Sequence, residues 1–260
     1  MKKHFLTLLM FAVATLGFTS CDPTNGGDDP KPEEKEYRLK KLSFLYNWEG
    51  MDETKAKVTS WTYTYDAQGR VTKVVETGED WTEDMVLDYG TAGQINLVRE
   101  DSTKNRVWKL NANGLVSTIE NIWGDGGNVN FEYDANGMLS KIYEDYGTPE
   151  LKSTFTITNG NAVSFTRGDR TKNFTFSSGL NTGKIYQVIN DSFIDDWKAH
   201  TGLFGAPCKN LNTEVKWSDK ESVTQITFDF YDDGRVKRSK RTDGLTWFEY
   251  YDYEYEEIVK

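Results

Sequence analysis

The chain has 260 residues, a formal charge of −10, and 14 Tyr, 14 Phe and 8 Trp, a length that suits one large β domain or two small ones. Its acidic balance excludes nucleic acid and anionic lipid headgroups as charge-driven partners, because either would repel it. The aromatic content favours pleated, half-buried surfaces and so leans towards β structure.

Residues 1–20 read as a secretory leader. Lys2 and Lys3 precede an apolar run from Phe5 to Phe18, which is short for a membrane span, and small residues Thr19 and Ser20 lead to Cys21. Small residues directly before a cysteine resemble a lipobox, in which the thiol is thioether-linked to diacylglycerol and becomes the new N-terminus. A soluble leader with an incidental cysteine is the other reading. Lipidation of Cys21 implies attachment to the outer membrane, facing either the periplasm or the outside. Removing residues 1–20 deletes Lys2, Lys3 and no acid, which takes the charge from −10 to −12. From Asp22 to Glu36 the chain is Gly, Pro, Asp and Lys/Glu without an aromatic residue, the composition of a disordered tether. Fully extended, it reaches about 50 Å. Asp22, Asp28 and Asp29 resemble the surface-export signals of Bacteroidetes lipoproteins.

From Tyr37 to Lys260 the pattern is strand after strand in a single domain. Met85 and Leu87 alternate with Asp84 and Asp88, Phe131 and Tyr133 with Asn130 and Glu132, and Phe228 and Phe230 with Thr227 and Asp229. A period of two with one polar face marks antiparallel strands solvated on one side. Punctuation comes from Asp66-Ala67-Gln68-Gly69, Asn111-Ala112-Asn113-Gly114 and Asp134-Ala135-Asn136-Gly137. Asp or Asn opens such a turn, and the glycine supplies the positive φ that closes it into a hairpin. Gly69, Gly93, Gly114 and Gly137 are spaced 24, 21 and 23 residues apart, so each repeat is one hairpin, stable only beside its neighbours.

Taking these turns as one end of the sheet, the near end, orients every strand. Asn159-Gly160, Ser178-Gly179 and a shorter, type I′ turn at Asp233-Gly234 belong to the near end. The loops around Gly78, Asn105, Gly126, Gly147 and Gly168 belong to the far end. Asn190 to Gly202, with Phe193, Ile194 and Trp197 on one stripe, predicts a short helix docked at the near end. About sixteen strands follow from the turn count, and a flat sheet of that size needs its edges protected. Closure of the meander into a barrel removes both edges, and two stacked sheets are the alternative. Mid-strand Asp, Glu, Lys and Arg argue against lipid around the wall, where each basic residue costs about 2–4 kcal/mol.

The units Tyr65 to Val71 and Tyr231 to Val236 resemble the Tyr-Asp repeats of toxin-associated and wall-associated shell proteins. The lipobox at Cys21, the repeated turns and the segment Gly202-Leu203-Phe204-Gly205-Ala206-Pro207-Cys208-Lys209-Asn210-Leu211 together resemble a Bacteroidetes lipoprotein family with a porin-like β fold. That resemblance implies a large antiparallel barrel-like sheet and supplies no activity.

Little catalytic chemistry is legible. The chain after residue 20 has a single histidine, His200, and no phosphate loop or zinc spacing, so neither a metal site nor a cofactor is expected. Cys208 beside His200 lacks the rest of a cysteine-enzyme signature. Gly124 to Asn128 lacks the ligand spacing of a calcium loop. The adjacent carboxylates Glu79-Asp80, Glu83-Asp84, Asp195-Asp196 and Asp232-Asp233 leave a glycosidase open as the least favoured reading. Trp48, Trp81, Trp123, Trp217 and Trp247 all fall near far-end loops. Indoles dominate recognition surfaces, which makes that rim a candidate contact for a glycan or an envelope protein, against the alternative that the rings fill cross-strand pairs. The expectation is a non-enzymatic binding module, or else a structural, adhesin-like scaffold.

Overall fold

A computed structural model describes residues 35–48, 50–99, 106–122, 126–187 and 193–258. Cys21, the leader and the tether up to Glu34 lie outside the described residues, as do Trp123, Asn105 and Asn190. Sixteen strands run in chain order. They are β1 (Tyr37–Asn47), β2 (Lys57–Tyr65), β3 (Val71–Thr77), β4 (Thr82–Asp88), β5 (Gln94–Arg99), β6 (Arg106–Leu110), β7 (Val116–Glu120) and β8 (Asn128–Tyr133). The second half comprises β9 (Leu139–Asp145), β10 (Pro149–Thr158), β11 (Asn161–Arg167), β12 (Arg170–Leu180), β13 (Asn210–Trp217), β14 (Val223–Phe230), β15 (Val236–Thr242) and β16 (Phe248–Glu257). Each strand pairs antiparallel with its chain neighbour, and β1 pairs with β16 from Tyr37↔Glu257 to Asn47↔Phe248. The meander is therefore a closed barrel without a free edge, and stacked sheets do not form.

The near-end turns form as their residues require. Asp134 N–H donates to Met138 O (2.9 Å), Gly137 N–H donates to Asp134 O (3.0 Å), and Gly137 has φ of 76°. The Asp134 carboxylate accepts from Asn136 and Met138 N–H. Asp66 and Asn111 repeat the arrangement. Two turns depart from the sequence expectation. At Asp233-Gly234 only the glycine has positive φ, and Tyr231 N–H donates to Arg235 O while Gly234 N–H donates to Tyr231 O. This is the same bulged turn with Tyr231 in first position, not the shorter type I′ turn, which needs positive φ at both central residues. Asn159-Gly160, with φ of 53° and 77°, is the type I′ turn. Ser178-Gly179 is not a turn at all. It sits in an irregular stretch of β12, which runs on to pair Leu180 with Asn210.

Inward positions are apolar through the middle of the barrel, and outward positions are mostly polar, with exceptions such as the exposed pair Val86 and Val98. Val74, Met85, Leu97, Trp108, Ile119 and Ile142 face inward and are buried. Outward pairs include Lys73–Asp84, Lys141–Glu132 (2.9 Å) and Lys109–Glu120 (3.7 Å). The wall is built to face water, and its interior is the hydrophobic core.

A ring of sixteen strands encloses more space than its own side chains fill. The described residues between β12 and β13, 181–187 and 193–209, enter the lumen and fill it. The helix is α1 (Asp196–Ala199), a single turn inside the barrel, in place of the longer helix docked at its end that the sequence suggests. Trp197 stacks on Trp108 at 6.0 Å, and Phe204 meets Trp108 edge-on at 5.2 Å and Phe131 at 5.4 Å. Tyr63 O–H donates to Trp197 O. Backbone bonds then fasten this plug under the near-end turns: Val116 N–H to Leu203 O, Ala206 N–H to Gly137 O and Lys209 N–H to Gly160 O, each 2.8 Å. Gly205, at φ of 109°, lies so close that a Cβ there would stand 2.8 Å from Gly137 O, which explains why the Gly202 to Leu211 segment needs its second glycine.

Candidate functional site

The plug stops short of the far end. Above it a cavity of ≈ 430 Å³ is lined by Arg99, Arg106, Ile122, Glu144, Arg167, Phe193, Asp195 and Lys198. Its walls are the last inward positions of several strands. Arg99 follows buried Leu97 at a spacing of two on β5, and Arg106 precedes buried Trp108 at the same spacing on β6. Glu144 opposes buried Val129, and Arg167 opposes buried Ser153. The plug supplies the floor, where Lys198 is 4% exposed.

Each carboxylate that lines the cavity is held by a cation. Glu83, a neighbour of the chamber on β4, grips Arg99 at Nε (2.7 Å) and at Nη2 (2.8 Å). Lys152 Nζ lies 3.2 Å from Glu144 and Lys198 Nζ 2.6 Å from Asp195. Lys198 also donates to Phe193 O at 3.3 Å. Arg106 makes no hydrogen bond or ion pair with a described residue. Its guanidinium pKa is pulled down by burial and by Arg99, and that of Lys198 by burial, with Arg106 and Arg99 adding to the effect against the opposing pull of Asp195. Glu76, inward-facing opposite Glu83, is pushed up by burial. Among the described residues that line the chamber, cations outnumber carboxylates by four to two.

The sequence-predicted tryptophans fall around this mouth to different degrees. Trp48, Trp81, Trp217 and Trp247 continue the inward-facing rows of β1, β4, β13 and β16. Trp48 is 62% exposed and donates from Nε1 to Glu249 at 3.4 Å. Trp81 is 49% exposed and lies over Gly78. Trp217 is engaged by Arg170 (4.2 Å) and Lys172 (4.6 Å) over its ring, and Trp247 is half-buried. The rim is therefore open at Trp48 and Trp81, and Trp217 is already a cross-strand partner.

The chain is similar to the Teneurin YD-shell. That family's model matches residues 29–149. A solved structure, described as a porin-like protein from Bacteroides uniformis, is 17% identical with a TM-score of 0.66, and covers 84% of this chain and 98% of its own. At that identity the likeness shows the fold alone. No curated protein matches the sequence. The YD-repeat-like, porin-like β fold is thus supported from both directions.

The other sequence candidates are absorbed by architecture. His200 accepts from Tyr186 N–H at Nε2 (3.3 Å), which leaves Nδ1 to donate to Asp196 O (2.8 Å). Burial drives its pKa down to about 4. Cys208 Sγ accepts from Ala162 N–H, and burial pushes the thiol up, the opposite of an activated nucleophile. Asp196 is partly buried, and desolvation pushes it up to about 6, with Arg241 pulling the other way. Adjacent carboxylates are split by the pleat: Glu83 faces inward to Arg99 and Asp84 outward to Lys73. Asn121 and Asn128 bond within the loop after β7, although Gly124 and Asp125 lie outside the described residues. Among the described residues no cluster of His, Cys, Asp or Glu could hold a metal ion. Arg99, Arg106 and Lys198 are the residues that sequence reasoning missed. The signal was present on the strands, where Arg99 and Arg106 occupy inward positions in otherwise apolar rows.

Proposed function

We propose that the protein is a lipoprotein of the outer membrane, anchored through Cys21, whose barrel is a non-enzymatic binding module that presents its far mouth to ligand. The observation that carries this reading is the asymmetry of the lumen. One end is sealed by the plug and by backbone bonds to the turns, and the other holds a polar chamber and carries exposed indoles on its strand ends. A barrel serving only as a scaffold has no need of charged residues inside its wall, where their desolvation costs stability. Indole rings at the same end as a polar cavity suit a saccharide, whose ring faces stack and whose hydroxyls bond to charged groups. The porin-like neighbour from Bacteroides supports an envelope location.

Trp48→Ala and Trp81→Ala tested by polysaccharide pull-down check the mouth: retention should fall while the melting temperature stays the same. Unchanged retention contradicts the reading. Incorporation of radiolabelled palmitate in cells checks the anchor, and it should vanish in Cys21→Ser. A structural role as an envelope scaffold is the second reading, favoured by the likeness to the YD-shell. Crosslinking in intact cells would then trap one specific protein partner.

A further inference from the structure

Among the described residues that line it, the far chamber leaves one guanidinium, that of Arg106, without a hydrogen bond or ion pair to a described residue. Four cations line it, Arg99, Arg106, Arg167 and Lys198, against two carboxylates, Glu144 and Asp195. Both carboxylates are committed, to Lys152 and Lys198. Glu83 is committed to Arg99, which retains further guanidinium donors beyond that pair. The charges that act on Arg106 are Arg99, a like charge, and the carboxylates Asp195 and Glu83, each of which is already bound to another cation. Apolar packing comes from below and beside: Trp108, two residues along β6, is fully buried, and Phe193 lies under Arg167 at 5.5 Å. Cations crowded in a partly buried cavity repel more strongly than they would in bulk water.

Such a site is poorly arranged for folding and well arranged for an anion. We infer that the chamber is a binding site for a carboxylate-bearing sugar, with Arg106 as the principal anion contact and Lys198 and Arg167 flanking it. Arginine presents two parallel donors to a carboxylate. The volume of ≈ 430 Å³ falls in the range of small-molecule pockets and admits a sugar unit rather than a polymer chain. Exposed Trp48 and Trp81 at the rim provide apolar faces for the next rings of an oligosaccharide. This inference rests on the far mouth being the binding face and adds the sign of the charge it takes. It also reconciles two facts that otherwise conflict: the chain as a whole is acidic, yet the described lining of this cavity is biased to positive.

The test is calorimetric titration of the Cys21→Ser chain with glucuronate oligomers, the matching neutral glucose oligomers and inorganic phosphate, at low and high salt. Glucuronate oligomers should bind, weakening as salt rises, with the neutral oligomers roughly tenfold or more weaker. Arg106→Gln should lose about 10- to 100-fold of that affinity while its melting temperature holds or rises, since it relieves repulsion. A purely structural arginine would lower the melting temperature instead. Equal affinity for neutral and acidic oligomers overturns the anion assignment and leaves the far-mouth reading standing. Phosphate binding as tightly as glucuronate overturns the sugar assignment. No binding by any probe overturns the inference, and loss of pull-down sensitivity to Trp48 and Trp81 separately overturns the reading beneath it.

Discussion

Trp197→Ala probes whether the plug is part of the core or an appendage. Trp197 is 2% exposed and stacks on Trp108, itself 0% exposed, in the centre of the lumen. The plug is ringed by strands hydrogen-bonded into a closed wall, so the cavity left by the indole cannot collapse readily. Truncation of a large buried aromatic costs about 3–5 kcal/mol, and the rigidity of the wall places this site near the upper end. With a urea m-value of about 2–3 kcal/mol/M, the unfolding midpoint should fall by roughly 1.5–2 M. The assay is equilibrium urea unfolding followed by circular dichroism and by tryptophan fluorescence, whose transitions should coincide. Trp81→Ala is the control, expected within about 0.5 kcal/mol of the parent because its ring is at the rim. A midpoint shift below about 0.5 M for Trp197→Ala, or two separated transitions, would refute a plug that folds as one unit with the barrel.

Gly205→Ala and Gly69→Ala separate close approach from backbone strain. Both glycines have positive φ, but a Cβ meets nothing within 4 Å at Gly69 and lies 2.8 Å from Gly137 O at Gly205. Gly69→Ala should cost about 1 kcal/mol and Gly205→Ala about 3 kcal/mol or more by urea unfolding; equal costs contradict the docking of the plug under the turn. A pH series tests His200. Its pKa of about 4 lies below the unfolded value of about 6.5, so as pH falls through that window only the unfolded chain takes up the proton, and about 3 kcal/mol of stability is lost. Asp196, raised to about 6, works the other way, since its native form is protonated first. The stability gap between the parent and His200→Gln should therefore shrink by about 3 kcal/mol from pH 6.5 to 4, whereas a gap independent of pH contradicts the buried, neutral imidazole.

The strands and most turns are legible in the sequence because their signals are local. Alternation at Met85 and Leu87 or Phe131 and Tyr133 needs only the pleat, and Asp134 to Gly137 carries its own hydrogen-bonding instructions. Closure follows from counting edges. The turn at Tyr231 to Gly234 misleads because tyrosine takes the first position and the aspartates slip along by one. Ser178-Gly179 misleads because a glycine in a strand can mark an irregularity as readily as a turn. The plug is the larger gap. Phe193, Ile194, Trp197 and Phe204 declare that their segment is buried, but what encloses them depends on the bore of the barrel, which no local pattern encodes. The chamber escaped for a related reason: Arg99, Arg106 and Lys198 lie on three separate elements and meet only once the ring is closed around the plug.

The central claim is that ligand chemistry belongs to the far mouth, with the near end given over to structure. A ¹H–¹⁵N spectrum of the Cys21→Ser chain, recorded with and without glucuronate oligomers, tests it most directly. The account predicts shifts at the Arg106 and Arg99 guanidinium and the Trp48 and Trp81 indole signals, with Gly137, Gly160 and Gly205 unmoved. Shifts confined to those near-end glycines or to outward residues such as Lys141 and Glu132 would contradict it.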